Sequence, residues 1–199
     1  MTLSEILPRA ASLWSEQAAV TCGSYEFTYR EVSDRVGRLA TALAKLGVTA
    51  GDRVAILHRN CHRMLEAYFA AVHAGAILVP MNHRLTAGDL AYILDDTSCR
   101  VMIADDGWCD LAAEAITTTH TRCTPIWSAM GGRTQGTVDG PDYESLVEEV
   151  GEHALPDAAS SEDDPANIYY TSGTTGHQKG VVLTHRNISS HALATIDEL

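Results

Sequence analysis

RVAILHRNCHRMLEAYFAAVHAGAILVP, residues 53–80, is the stretch that decides the fold. It opens on a short apolar run rich in β-branched residues (53–58) and closes on another, AILVP (76–80). Between them, 61–74 has the length and apolar periodicity of a helix, with Asn60 placed to cap its start and Gly75 to end it. Strand, helix, strand in this span leaves no room for a hairpin. Parallel neighbours need a crossover, and the crossover is usually a helix.

The same alternation extends in both directions. Upstream, Thr28 and Glu31 have capping-box spacing. Val32, Val36, Leu39, Leu43 and Leu46 then repeat on one helical face, and Gly47 is positioned to end the helix left-handed. AVTCGSYEFT reads as two short strands about Gly23-Ser24, and residues 3–17 as a helix with Leu3, Ile6, Leu7, Ala10, Leu13 and Trp14 on its apolar side. Downstream, Thr86 and Asp89 open a helix to about Asp96, RVMIA (100–104) is a strand, 108–119 a helix and CTPIW (123–127) a weaker strand. Gly131, Gly132 and Gly136 mark a loop, 143–150 a short helix, and 151–165 a linker. The expectation is an α/β fold: a mostly parallel sheet flanked by helices over 1–150, then a separate unit over 166–199.

Composition narrows the function classes. The chain has 199 residues, 14 Lys plus Arg against 26 Asp plus Glu, and a net charge of −12. A nucleic-acid binder carries a basic stripe, and none is visible. Between Arg133 and Lys179 there is no basic residue but ten acids, from Asp139 to Asp164, read as solvated surface. The five cysteines have no CxxC spacing, which argues against a disulfide framework or a zinc ribbon and for reduced thiols in a cytoplasm. The first residues lack the pattern of a signal peptide, and no apolar run is long enough to span a membrane. His58, Cys61 and His62 lack a nearby third ligand, so no metal site is expected there. Trp14, Trp108 and Trp127 read as core or rim aromatics.

The segment that carries chemistry is NIYYTSGTTGHQKGVVLTHRN, residues 167–187. A strand enters at Ile168, Tyr169 and Tyr170 and another leaves at Val181, Val182 and Leu183. The ten residues between, Thr171–Gly180, hold three glycines, four hydroxyl side chains and one lysine. Gly173, Gly176 and Gly180 permit tight bends and close approach, and successive N–H groups in such a turn make an anion-binding concavity. Thr171, Ser172, Thr174 and Thr175 add donors. Lys179, one of only two lysines in the chain, adds positive charge. A Walker loop does not fit, because Gln178 stands where it needs Gly and Gly180 where it needs Ser or Thr. Thr184 or Asn187 caps a terminal helix, and His185 and Arg186 stand close enough in sequence to meet a ligand or to pack.

YTSGTTGHQKGVVLTHRN resembles the phosphate-binding signature YTSGTTGxPKGV of the adenylate-forming superfamily: acyl-CoA synthetases, luciferases and peptide-synthetase adenylation domains. The departure is Gln178 in place of Pro. FTYREVSDRVGRLATALAKLGVTAGDRVAI (27–56) and AAVHAGAILVPMNHRLTAGDLAYILDDTSCRVMI (70–103) are similar to two earlier blocks of the same family. Within 70–103, VPMNHRLTAGDLAYIL (79–94) is more similar to fatty-acid and aryl-acid CoA ligases than to peptide-synthetase domains. The resemblance implies a carboxylic acid substrate activated by Mg2+·ATP as an acyl-adenylate, then transferred to coenzyme A; the variant within the class loads a carrier protein. It implies that Thr171, Ser172, Gly173, Thr174, Thr175, Gly176, Lys179 and Gly180 hold the nucleotide phosphates, with Lys179 stabilising the departing pyrophosphate. It also implies that residues 1–199 are part of an amino-terminal AMP-binding domain. On that expectation they are inactive alone and expose apolar surface at the sheet edge. From another class, a short nucleotide-binding module without catalysis is the alternative.

Overall fold

The computed structural model describes residues 1–129, 138–151, 161–171 and 178–197. In chain order the elements are α1 (Ile6–Leu13), β1 (Ala18–Cys22), β2 (Tyr25–Thr28), α2 (Tyr29–Lys45), β3 (Arg53–Leu57), α3 (His62–His73), β4 (Ile77–Pro80) and α4 (Ala87–Thr97). They continue with β5 (Val101–Asp105), α5 (Cys109–Thr118), β6 (Thr124–Ser128), α6 (Tyr143–Glu149), β7 (Pro165–Thr171), β8 (Lys179–Thr184) and α7 (His185–Asp197). β1 and β2 form a separate antiparallel pair, while the main sheet has six strands in the order β6-β5-β3-β4-β7-β8. Every pairing in it is parallel except β7 with β8.

The parallel strands β3 to β6 are buried on both faces, as a parallel sheet covered by crossover helices must be, while the edge strand β8 is largely exposed. Alternate residues point to opposite sides. Val54, Ile56, Leu78, Val101, Ile103 and Ile126 pack with Val36, Leu39 and Leu43 of α2, with α3 and with Tyr143 and Val147 of α6. Ala55, Leu57, Val79, Met102, Ala104 and Trp127 pack on the other side with Leu90, Ile93 and Leu94 of α4 and the alanines of α5. Each of β3, β4, β5 and β6 thus divides its apolar residues between two cores.

Local signals decide most boundaries. Thr28 and Glu31 exchange side-chain and backbone bonds at the start of α2, and Thr86 and Asp89 do the same for α4. Gly47 and Gly75 take φ of +87° and +69° just beyond α2 and α3, the left-handed region where a Cβ is unfavourable.

Several expectations are corrected. α1 stops at Leu13 instead of running to residue 17, because the carbonyls of Ser15 and Gln17 accept from the first amides of α2, Arg30 N and Tyr29 N, at 3.1 Å each. Leu13 and Trp14 are consequently exposed rather than on a buried face. The cap position of α3 is Cys61, not Asn60, in extended conformation and without a side-chain bond. Of the expected linker, Ser161–Asp164 form a turn closed by Ser161 N donating to Asp164, and Pro165 already belongs to β7; residues 152–160 lie outside the described set. The Gly131, Gly132 and Gly136 loop also lies outside it. Cys99, Cys109 and Cys123 are buried free thiols, with Cys22 and Cys61 half-buried. Val181, Val182 and Leu193 are exposed on β8 and α7 at one edge of the sheet. Among the described residues no helix is long and apolar enough to cross a membrane.

Candidate functional site

In an open parallel sheet, the loops that leave the carboxyl ends of the strands lie along one edge, and ligand sites gather there. Three features lie along that edge.

The first is the β7–β8 hairpin. Its register pairs Asn167 with Leu183, Ile168 with Val182, Tyr169 with Val181, Tyr170 with Gly180 and Thr171 with Lys179. Thr171 and Lys179 therefore stand opposite each other where the hairpin opens. Both are exposed, and Lys179 makes no ion pair among the described residues. Lys179 and Gly180 belong to β8, and Thr171 to β7, so the sequence-defined loop is shorter at both ends than its composition implies. Strand pairing fixes the backbone that carries the lysine. Ser172, Gly173, Thr174, Thr175 and Gly176 lie outside the described residues.

Gly180 has a different reason from the one its composition suggests. Its φ is not positive. A Cβ there would lie 2.9 Å from Ile168 Cγ2 and 3.2 Å from Tyr170 Cζ. The bare backbone lets the Tyr170 ring lie across the hairpin, where its hydroxyl donates to Asp96 at 2.5 Å. Burial and that acidic neighbour both raise the Tyr170 phenol above its ordinary pKa. The aromatic end of β7 is thereby tied to α4.

The second feature is a cleft of about 330 Å3 between the end of β4 and this hairpin, bounded by Pro80, Met81, Asn82, Tyr169, Tyr170 and Gln178. Asn82 accepts from Arg84 N at 3.0 Å and so shapes the loop after β4. Gln178, the one departure from the family signature, contributes its half-buried side chain to the wall of this cleft.

The third is the crevice between β3 and β5. The chain leaves β3 toward β4 and leaves β5 toward β6, in opposite directions, which makes this the switch point of the sheet. It is filled by the protein itself. Arg59 grips Asp105 with two nitrogens, at 2.6 and 2.5 Å, and lies over the Trp108 ring. His58 Nε2 meets Ser128 Oγ at 2.8 Å, and His58 Nδ1 lies 2.9 Å from the Arg59 carbonyl and 3.3 Å from Asp105. A carbonyl only accepts, so the proton sits on Nδ1 and Nε2 accepts the Ser128 hydroxyl. Burial holds His58 below the usual imidazole pKa, against the pull of the Arg59 carbonyl and Asp105. Asp105 stays below the usual carboxylate range although burial acts to raise it, chiefly through the bond from Arg59. Ser, His and Asp here have the order of a nucleophilic triad, but all three side chains are fully buried and no substrate carbonyl can reach Ser128. The arrangement ties three strand ends together.

From Ser128 the network continues inward. Arg63 donates to Ser128 Oγ at 3.1 Å and to Glu144 at 2.8 Å. Arg35 joins Glu144 to Glu66, and Tyr143 donates to Glu66 at 2.6 Å. Glu144 is therefore not part of a solvated acidic face: burial would raise its pKa, but Arg35 and Arg63 hold it below the usual value. No sequence spacing signals this network, because its members come from four segments. Among the described residues no group of three or more His, Cys, Asp and Glu side chains is placed to hold a metal ion. His185 is buried and accepts from Leu3 N, so it packs; Arg186 pairs with Asp163 on the surface.

The fold is an open α/β sheet of mostly parallel strands flanked by helices, with an antiparallel hairpin at one edge. The chain belongs to the AMP-binding enzyme family, whose model matches residues 7–198. A long-chain-fatty-acid–CoA ligase of Thermus thermophilus is 36% identical over 202 residues, covering 98% of this chain and 35% of that protein. A peroxisomal butyrate–CoA ligase of Arabidopsis thaliana is 32% identical over 208 residues, covering 98% and 36%. Among solved structures, a benzoate CoA ligase from Burkholderia xenovorans superposes with a TM-score of 0.83 at 26% identity, over 97% of this chain and 36% of that one. The chain thus spans about a third of the length of these relatives.

Proposed function

We propose that this chain is the phosphate-binding part of an enzyme that activates a fatty or aryl carboxylic acid with ATP and passes the acyl group to coenzyme A. The observation that carries the reading is the β7–β8 hairpin, which presents Lys179, without an ion pair among the described residues, opposite Thr171 at the carboxyl edge of the sheet. Membership of the AMP-binding family and the acyl-CoA ligases among its relatives support it.

The chemistry is two displacements. A carboxylate oxygen attacks the α-phosphorus of ATP, the α–β anhydride bond breaks, and pyrophosphate leaves from an acyl-adenylate. The thiol of coenzyme A then attacks the acyl carbonyl and AMP departs. Charge grows on the leaving pyrophosphate in the first step, and a cation already in place lowers that barrier without reorganising. Lys179 is fit for this, because pairing with Thr171 fixes its backbone and no carboxylate among the described residues neutralises it. The hydroxyls of Thr171, Ser172, Thr174 and Thr175, with the amides around Gly173, Gly176 and Gly180, orient the phosphates in this reading. Mg2+ supplies further screening of the nucleotide charge when bound with it.

The test is ATP–pyrophosphate exchange, driven by a panel of carboxylic acids, in the natural polypeptide that carries this segment. Lys179→Ala is expected to slow exchange by roughly tenfold or more, the scale for loss of one preorganised contact to developing charge. Exchange at the parent rate in that variant removes Lys179 from the mechanism, and no exchange with any acid refutes the reaction class. In the same units proposed from sequence, 1–150 supplies the scaffold and 166–199 the phosphate hairpin.

A further inference from the structure

The opposite edge of the sheet holds a further concentration of positive charge. Arg100 and Arg122 precede adjacent parallel strands, with Val101 paired to Thr124 and Thr124 N donating to the Arg100 carbonyl at 3.0 Å. Together with Leu46 and Thr124 they line a polar cleft of about 270 Å3. Both arginines are exposed, and neither side chain has a carboxylate or hydrogen-bond partner among the described residues. Room for the Arg100 guanidinium comes from Gly47, where a Cβ would lie 2.8 Å from one of its nitrogens. Lys45, in the last turn of α2 and exposed, adds a third cation to this end of the sheet.

In a chain of net charge −12 this grouping is unexpected. Acids outnumber bases, and Arg30, Arg35, Arg38, Arg59, Arg63 and Arg186 each hold a carboxylate. Arg53 is engaged by the carbonyls of Gly51, Thr97 and Ser98. Arg100 and Arg122 instead line one cleft, and neither makes an ion pair among the described residues. A planar guanidinium fork matches the oxygens of phosphate and carboxylate, and two such forks with a threonine hydroxyl make a complementary set for one tetrahedral oxyanion.

We propose that Arg100, Arg122 and Thr124 form a binding site for an anion of the phosphate class, at the amino ends of β5 and β6 and remote from the Lys179 hairpin. It is independent of the catalytic reading. Titration of the 199-residue chain with inorganic pyrophosphate at low ionic strength, followed by calorimetry and by 31P line broadening, tests it. In a Lys179→Ala background, which removes the hairpin's own hold on pyrophosphate, one saturable site is expected. Arg100→Gln with Arg122→Gln weakens it by about tenfold or more, as expected when charge-assisted bonds are lost, while Lys179→Ala leaves that site intact. AMP titrated in parallel separates the sources: tighter binding than pyrophosphate assigns the site to an organic phosphomonoester, weaker binding to the inorganic ion. Absence of saturable binding overturns the proposal, as does binding unchanged in the double variant or abolished by Lys179→Ala alone. Both arginines are exposed, so the thermal midpoint of each variant is expected to stay near that of the parent, and an Arg100→Lys, Arg122→Lys variant restores part of the affinity.

Discussion

Replacing Arg35 by Met tests whether the buried network between α2, α3 and α6 holds the domain together. Glu66 has a side chain only 1% exposed, and Arg35 meets both of its oxygens, at 2.7 and 3.1 Å. Tyr143, fully buried, supplies its other hydrogen bond. Arg35 also joins Glu144, which keeps Arg63 when Arg35 is lost. The variant therefore leaves one carboxylate, Glu66, buried beside a single hydroxyl. Breaking a buried pair by removing one partner costs about 3–5 kcal/mol, because the survivor is left uncompensated. For a domain of this size about 1 kcal/mol moves the thermal midpoint by 2–4 °C, so the loss is roughly 6–20 °C. Calorimetry and urea unfolding read it directly. Arg30→Met, which breaks a pair with both side chains more than 60% exposed, is the control and is expected to change little. The double variant Arg35→Met, Glu66→Leu is expected to recover much of the loss, since the orphaned charge is gone. If Arg35→Met unfolds at the same temperature as Arg30→Met, the network contributes no more than surface charge and the reasoning fails.

Three other outcomes are expected. Stability falls as pH drops below about 6.5, because burial lowers the imidazole pKa of His58, His62 and His185 in the folded chain while the unfolded chain takes up protons at the ordinary value. Stability is thus full above that pH and is lost below it; thermal midpoints across pH 5–8 check this, and His58→Gln is expected to flatten the slope while lowering stability at pH 8. Gly180→Ala is expected to cost about 1–3 kcal/mol through overpacking against Ile168 and Tyr170, read by thermal unfolding and by release of the raised Tyr170 phenol in ultraviolet titration. Glu144→Gln is expected to destabilise at pH 7, and its difference from the parent to narrow as pH falls below the ordinary carboxylate value, since Arg35 and Arg63 hold the carboxylate below that value and their stabilisation disappears as it takes up a proton.

The amino-acid sequence by itself determined the order of strands and helices, the start of α2 and α4, and the segment to which phosphate binding is assigned in the proposed function. These are properties of neighbours. A capping box needs residues three apart, an amphipathic helix shows its period within a few turns, and Gly75 ends α3 through its own φ. The phosphate hairpin is legible for the same reason, since its glycines, hydroxyls and Lys179 are contiguous. The tertiary structure alone decided what those elements touch. Asn60 reads as a cap, yet the turn is made at Cys61; residues 15–17 read as helical, yet their carbonyls serve the amides of α2. Gly180 reads as a place for a tight bend and close approach in the loop, and its missing Cβ leaves space for the Tyr170 ring. Glu144 reads as one acid in a solvated run and is clasped by arginines 109 and 81 residues away. Arg100 and Arg122 become neighbours only because β5 and β6 pair in parallel register. Hydrogen bonds and charges act over a few ångströms whatever the chain distance, so partners brought together by sheet order leave no periodic trace in the sequence.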